Sequence, residues 1–200
     1  MKPPSPAHLV DSMATADPDE QYFRSIPWCS KLLDDPNFVI IPSLSRQPKE
    51  STEDSLFAET LKTDNTIGAM LSLCKRPSSE VALVDEVRSL LSLGYRVNGY
   101  PTICHGGIVA TLLDEVMGSL VLVNNKLESP EISDTVVTAY LKVNYIKPVQ
   151  TPQTVLVTAR FKEIVGRKYY IEGSVEDHSG TVLANGEALW LRQNPQREKL

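Results

Sequence analysis

The segment Cys104-His105-Gly106-Gly107 is followed by Asp114, nine positions after the histidine, and these residue types can bind and attack an acyl group. Two glycines at the start of a helix let the backbone approach a ligand closely, and the first N–H groups of a helix have no partner within it. Such donors can bind a thioester carbonyl oxygen as negative charge develops on it. The same two glycines could equally shape a tight turn and do nothing more.

Asp114 lies in the middle of an apolar segment, Ile108–Asn124, that predicts a helix of about four turns. Burying a carboxylate costs free energy unless it is paired or used, so its position indicates a function. It could act as a general base on water or as a nucleophile that forms a mixed anhydride, and the sequence leaves both open. Two alternatives remain: an aspartate at the solvent edge of the helix, and Glu115 in the catalytic role.

The helix is apolar on nearly every side, which is typical of a buried helix. Strands are predicted before it, over 66–75 and 88–95, and four more follow it, beginning near Thr135, Thr154, Lys168 and Thr181. The last four are separated by short turns and each has one apolar face. This pattern predicts an α+β fold in which a curved antiparallel sheet wraps around a long central helix.

Residues 1–62 differ in composition and are predicted to form an N-terminal arm that leans on the main domain. A helix is expected over 19–33, bent or broken at Pro27, followed by a short apolar run over 38–41. The stretch from Pro42 to Asp54 has the composition of a linker. The predicted organisation is therefore an arm over 1–62, a domain over 63–194 and a tail over 195–200.

Composition excludes several classes of function. The chain has 20 basic and 25 acidic residues and a net charge of −5, so nucleic acid is not an expected partner. Three widely spaced cysteines fit reduced thiols in the cytoplasm, and no metal-ligand spacing is present. The longest apolar stretch, Val116–Val123, is too short for a membrane span. No serine-hydrolase or nucleotide-binding motif occurs, and the adjacent Cys104 and His105 are poorly placed to act as a nucleophile pair.

The segment HGGIVATLLDE resembles the signature of the PaaI-like hotdog thioesterases. The segments VVTAYLKVNYIKPV and EIVGRKYYIEGSV resemble the following strand and hairpin in the eukaryotic branch that includes carboxyl-terminal modulator protein. The likeness covers residues 63–193. It implies a hotdog fold, hydrolysis of acyl-CoA without a cofactor, and a homodimer or dimer of dimers with shared active sites.

The resemblance also implies roles for individual residues. The Gly106 N–H would bind the carbonyl oxygen, His105 would shape the loop, Asp114 would be the catalytic carboxylate, and the Thr138 hydroxyl would hold water. Asn98 is the nearest match to an asparagine that some relatives place before the histidine, although its spacing is one residue longer. Strand alternation, however, predicts that Thr138 lies opposite the apolar face, which only a bulge or a subunit interface would reconcile.

Arg167 and Lys168 follow Gly166 in a predicted hairpin turn, where relatives contact the nucleotide phosphates of CoA. An ordinary solvated turn is the alternative. A hotdog dehydratase is a second enzymatic reading, but it needs another histidine paired with an acid. A non-catalytic module that binds acyl-CoA or a protein partner is the alternative from another class.

Gly106 and Asp114 are eight residues apart, so they are separated by about 12 Å along a helix. Both groups must lie near the reacting atoms, and this separation is too great within one chain. We therefore expect an active site shared by two subunits with antiparallel helices.

Overall fold

The computed structural model describes residues 17–78, 83–128 and 135–193. The helices are α1 (Pro18–Arg24), α2 (Pro27–Leu33) and α3 (Gly106–Glu128), and the strands are β1 (Phe38–Ile41), β2 (Ile67–Lys75), β3 (Glu86–Leu93), β4 (Asn98–Tyr100), β5 (Ile103–Cys104), β6 (Val136–Tyr145), β7 (Gln153–Val165), β8 (Lys168–Glu176) and β9 (Val182–Arg192). The predicted tail, residues 195–200, and the first sixteen residues of the predicted arm lie outside the described residues.

Seven strands form one antiparallel sheet in the order β1-β2-β3-β7-β8-β9-β6. It wraps around α3, which contacts β3, β6, β7, β8 and β9. The predicted α+β class, with a curved sheet around a central helix, is confirmed. The helix is longer than its apolar pattern indicated, because it begins at Gly106 and runs for 23 residues.

The concave face of the sheet and α3 share the main hydrophobic core. Leu112, Leu113, Val116, Met117 and Leu120 of α3 are fully buried there. The part of α3 from Gly106 to Asn125 is also long and apolar enough to cross a membrane, a property that core helices share with spanning ones. In this structure most of its apolar side chains pack against the sheet, whereas Leu122 is exposed.

The arm helix is interrupted where Pro27 was expected to break it, giving α1 and α2. These helices cover the outer face of the sheet, where Phe23 and Cys29 pack against Leu71 and Leu90 in a second core. The apolar run that follows becomes β1 and pairs with β2, with Ile41 opposite Ser72. Part of the arm is thus an edge strand of the sheet, while the boundary at residue 62 stays a prediction.

The segment after β1 returns over α3. It contains a short helical turn, Leu44–Arg46, and the buried Arg46 holds it in place. The guanidinium of Arg46 donates to the carbonyl oxygens of Phe57, at 3.1 Å, and Ile67, at 2.9 Å. Because the sheet curls, its two edge strands, β1 and β6, approach this same side of α3.

Candidate active site

Asp114 and Thr138 form a hydrogen-bonded pair. The Oγ1 of Thr138, on β6, donates to Oδ1 of Asp114, on α3, at 2.9 Å. Partial burial raises the pKa of the Asp114 carboxyl above its ordinary value, while the bond from Thr138 acts in the opposite direction. The arrangement holds a carboxylate with elevated basicity beside a hydroxyl that can still accept a hydrogen bond from water.

A β-bulge turns Thr138 toward the helix. Thr138 pairs with Trp190 and Tyr140 with the adjacent Leu189, so Ala139 is an extra residue in β6. The extra residue reverses the alternation of faces. The prediction from alternation that Thr138 lies opposite the apolar face is therefore wrong, and a bulge, one of the two expected ways to reconcile its position, is present. The neighbouring Val137 faces outward and is 36% exposed.

His105 organises the start of α3. Its backbone N–H donates to the Val97 carbonyl at 2.8 Å, and its Nδ1 accepts from the Gly107 N–H at 2.9 Å. The His105 carbonyl accepts from the Ile108 N–H at 2.9 Å. Because Gly106 is the first residue of α3, its N–H has no acceptor within the helix, which suits it to bind an oxyanion.

Tyr145 completes this turn, although the sequence pattern did not single it out. Its hydroxyl donates to the Gly106 carbonyl at 2.9 Å. A Cβ at position 106 would lie 3.4 Å from the tyrosine ring, so a side chain there would crowd the contact. Tyr145 alternates along β6 with Val143 and Leu141 and therefore lies on the same face of the strand. A polar hydroxyl at the end of this apolar face was the feature of the sequence that could have identified it.

Asn98 supports the loop before the helix. Its side-chain oxygen accepts a hydrogen bond from the Thr151 hydroxyl, and its backbone pairs with Cys104 between β4 and β5. Neighbouring Gly99 packs closely against His105, where a Cβ would lie 3.1 Å from the histidine Cα. The structure thus places Asn98 with the loop around His105, while Asp114 lies two turns further along α3.

Arg167 and Lys168 are exposed at the end of the β7–β8 hairpin. Gly166 has a positive φ of 58°, as the tight turn requires, and Arg167 donates to the Arg192 carbonyl at 3.2 Å. One residue beyond Lys168 on β8, Tyr169 pairs with Trp190 of β9, and Trp190 pairs in turn with Thr138 of β6. The basic turn is therefore about 10 Å from the strand that holds Thr138, since neighbouring strands lie ~4.8 Å apart.

A cavity of about 470 Å³ lies beside Asp114 and Glu115. Burial raises the pKa of Glu115, and the hydroxyl of Ser45 bonds to that carboxyl and opposes the shift. A larger hollow of about 600 Å³ lies between α1 and β1 and is lined by neither Asp114 nor Thr138. The smaller cavity is the better candidate for the substrate site because Asp114 and Glu115 line it.

The described residues do not support a metal site or a cysteine nucleophile. Across 17–78, 83–128 and 135–193, no group of three or more His, Cys, Asp or Glu side chains is arranged to hold a metal ion. Cys104 is buried, and burial raises the pKa of its thiol to about 11, which disfavours the nucleophilic thiolate.

Part of the chain matches a known protein family. Residues 102–184, which hold the helix start, Asp114 and Thr138, match the model of the thioesterase superfamily. The chain has the hotdog fold, and its residues 102–184 are similar to the thioesterase superfamily. It is accordingly a thioesterase, as the resemblance of its helix motif implied.

Individual relatives are distant. The chain is 27% identical to verlamelin biosynthesis protein B of Lecanicillium sp, over 88% of each chain. It is 28% identical to the mouse acyl-coenzyme A thioesterase THEM4 over 54% of this chain, but it spans only 44% of the mouse protein. A hypothetical thioesterase from Streptococcus pneumoniae, crystallised with coenzyme A, has the same fold, with a TM-score of 0.51, 13% identity, and coverage of 62% of this chain and 86% of that one.

Proposed function

We propose that this thioesterase hydrolyses acyl-CoA to a free acid and CoA, with Asp114 as the catalytic carboxylate. The observation that carries the proposal is the bond from Thr138 to Asp114 at the edge of a cavity. A carboxyl whose pKa is raised by burial is a better base near neutral pH than an exposed one. The likeness to an acyl-coenzyme A thioesterase, THEM4, supports CoA as the thiol.

In the simpler mechanism Asp114 accepts a proton from water while the Thr138 hydroxyl accepts the water's other hydrogen. The hydroxide attacks the carbonyl carbon, charge develops on the oxygen at a Gly106 N–H, and the C–S bond breaks. The proton held by Asp114 then passes to the departing CoA thiolate. In the alternative, Asp114 attacks the carbonyl carbon directly, the C–S bond breaks to release the CoA thiolate, and a mixed anhydride forms. In a single turnover in ¹⁸O water, label appears in the Asp114 carboxylate only by this route, when water attacks the Asp114 side of the anhydride.

The Gly106 N–H in this mechanism comes from a second subunit. Both groups lie on α3, eight residues apart, so they are about 12 Å apart along the helix axis. The β6 edge of the sheet exposes Val137 and Tyr140, the latter 49% exposed, and an unpaired strand edge favours antiparallel association. We infer a two-fold homodimer through this edge, which could pair again into a tetramer.

Arg167 and Lys168 are proposed to contact the nucleotide phosphates of CoA. They are exposed, adjacent and close to the row that contains Thr138. Arg supplies a planar set of donors that suits phosphate oxygens.

The direct test is a hydrolysis screen of acetyl-, hexanoyl-, decanoyl-, palmitoyl- and phenylacetyl-CoA with detection of the released thiol. We expect release from at least one substrate and its loss in Asp114→Asn. If no thiol appears with any substrate while acyl-CoA still binds, the chain is a binding module and the hydrolysis proposal is wrong.

A further inference from the structure

The cavity beside Asp114 continues along α3 as a groove. Its floor is the face of α3 from Asp114 to Val123, and this α3 groove has two walls. One wall is the arm segment after β1, including Pro42 and Leu44, and the other is formed by Val136 and Trp190. The groove therefore lies where the two edges of the curled sheet face each other, and the arm supplies half of its sides.

The groove changes character along its length. The end at Asp114 carries Glu115, with the hydroxyl of Ser45 and the carboxylate of Asp54 near it, whereas the far end of the floor presents Leu122 and Val123. Such a gradient fits a molecule with a polar reacting group followed by an apolar chain.

Gly118 and Trp190 shape the middle of the groove. A Cβ at position 118 would lie only 2.7 Å from Cη2 of Trp190, so the indole rests directly on the backbone of α3. The flat ring thus provides an apolar surface one turn beyond Asp114.

We propose that the α3 groove binds the acyl chain of the substrate, with the thioester carbonyl at Asp114, and that the arm segment is part of the binding site. This inference rests on the proposed hydrolysis. Asp114 and Val123 are nine residues apart, about 13 Å along the helix. Single bonds of ~1.5 Å advance an extended chain by roughly 1.3 Å per carbon, so linear saturated chains of about ten carbons fit best.

The first experiment narrows the groove from its floor. Leu122 is 45% exposed, so Leu122→Trp adds bulk to the groove without entering the core. We expect the ratio of kcat/KM for decanoyl-CoA to that for acetyl-CoA to fall tenfold or more. The matched control is Leu83→Trp, because Leu83 is 44% exposed and does not line the groove.

Leu44→Trp tests the arm wall in the same assay and should lower the same ratio. If Leu122→Trp and Leu44→Trp leave this ratio at the wild-type value, the acyl chain lies elsewhere and the inference is wrong.

A binding measurement separates this inference from hydrolysis itself. The chain has two tryptophans, so Trp28→Phe leaves Trp190 as the only one. In a Trp28→Phe, Asp114→Asn protein, the non-hydrolysable thioether S-decyl-CoA should change the emission of Trp190 saturably, and S-ethyl-CoA should not. Hydrolysis of decanoyl-CoA by the wild-type protein without this emission change overturns the groove but not the function. The emission change in a chain that hydrolyses nothing supports the groove and refutes the function.

Discussion

The Thr138 hydroxyl lies 2.9 Å from the carboxylate of Asp114 because β6 contains one residue more than its neighbour β9 requires. Without the extra Ala139, strict alternation would turn Thr138 away from α3. The contact therefore depends on an irregularity in the sheet, and the bulge is a structural requirement for the proposed site.

Asp114→Asn should keep the fold and lower kcat by ~100-fold or more, since the amide cannot accept the proton from water. The side chains have nearly the same size, so circular dichroism and thermal unfolding should show an intact protein. Glu115→Gln is the matched control on the next residue of α3. A Glu115→Gln protein that is crippled while Asp114→Asn stays near wild type would transfer the catalytic role to Glu115.

The pH dependence of kcat/KM should have an acid limb set by Asp114. The base must be ionised, so activity is low below its pKa and rises as the pH passes through it. Burial raises this pKa and the Thr138 bond lowers it, so Thr138→Val should move the limb to higher pH. Thr138→Ser keeps the hydroxyl and should leave the limb near its wild-type position. An acid limb that does not move in Thr138→Val would mean that another group controls it.

Replacing Arg167 and Lys168 together by alanine should raise KM for acyl-CoA more than it lowers kcat, because phosphate contacts far from the carbonyl contribute mainly to binding. The effect should shrink on a pantetheine thioester, which lacks the nucleotide. Alanine at Lys75 and Arg76, an adjacent basic pair on β2 and just after it, serves as the control for lost positive charge. Equal effects of the Arg167 and Lys168 change on both substrates would remove the turn from the nucleotide site.

Mixing subunits tests the shared site. Asp114→Asn and His105→Ala proteins are each expected to be impaired, the second because Nδ1 of His105 orders the start of α3. In a mixed dimer, one site combines a wild-type His105 loop with a wild-type Asp114. Random exchange makes about half of the dimers mixed, so activity should recover to about a quarter of wild type. Complete exchange, verified by mass spectrometry, without recovery would place both groups in one subunit's site.

Glu115 should reduce stability at neutral pH. Burial raises the pKa of Glu115 in the folded protein above its pKa in the unfolded chain. The contribution of Glu115 to the free energy of unfolding is therefore fully present below the unfolded pKa, and it is lost as the pH rises through the folded pKa. Glu115→Gln should therefore raise Tm near pH 7 and change it little near pH 3, where the glutamate is protonated in both states. Glu163→Gln, at an exposed position of β7, is the control. A lower Tm for Glu115→Gln at neutral pH would contradict this.

The helix motif could be predicted from the sequence because the residues that define it lie close together along the chain. Gly106 and Asp114 lie on one element at a fixed spacing, and a buried helix with one carboxylate is a conspicuous pattern. The resemblance indicated that a bulge or a subunit interface was needed at Thr138, but the sequence did not decide between them or place the bulge at Ala139, since no glycine or proline marks it and alternation assumes a period of two. The pairing of β1 was also hidden, because its partner β2 begins more than twenty residues later, and a run of four apolar residues does not specify a partner.

The second core has a consequence for synthesis on the ribosome. Phe23 and Cys29 of the arm are buried against side chains of β2, β3 and β7, including Leu156. The arm is translated before all of these strands, and β7 follows β3 only after α3 and β6, so the sheet that covers the apolar residues of the arm is complete only once β7 has emerged. Until then the nascent chain exposes part of the hydrophobic surface of the arm, and transiently exposed surface of this kind promotes aggregation and is what chaperones protect.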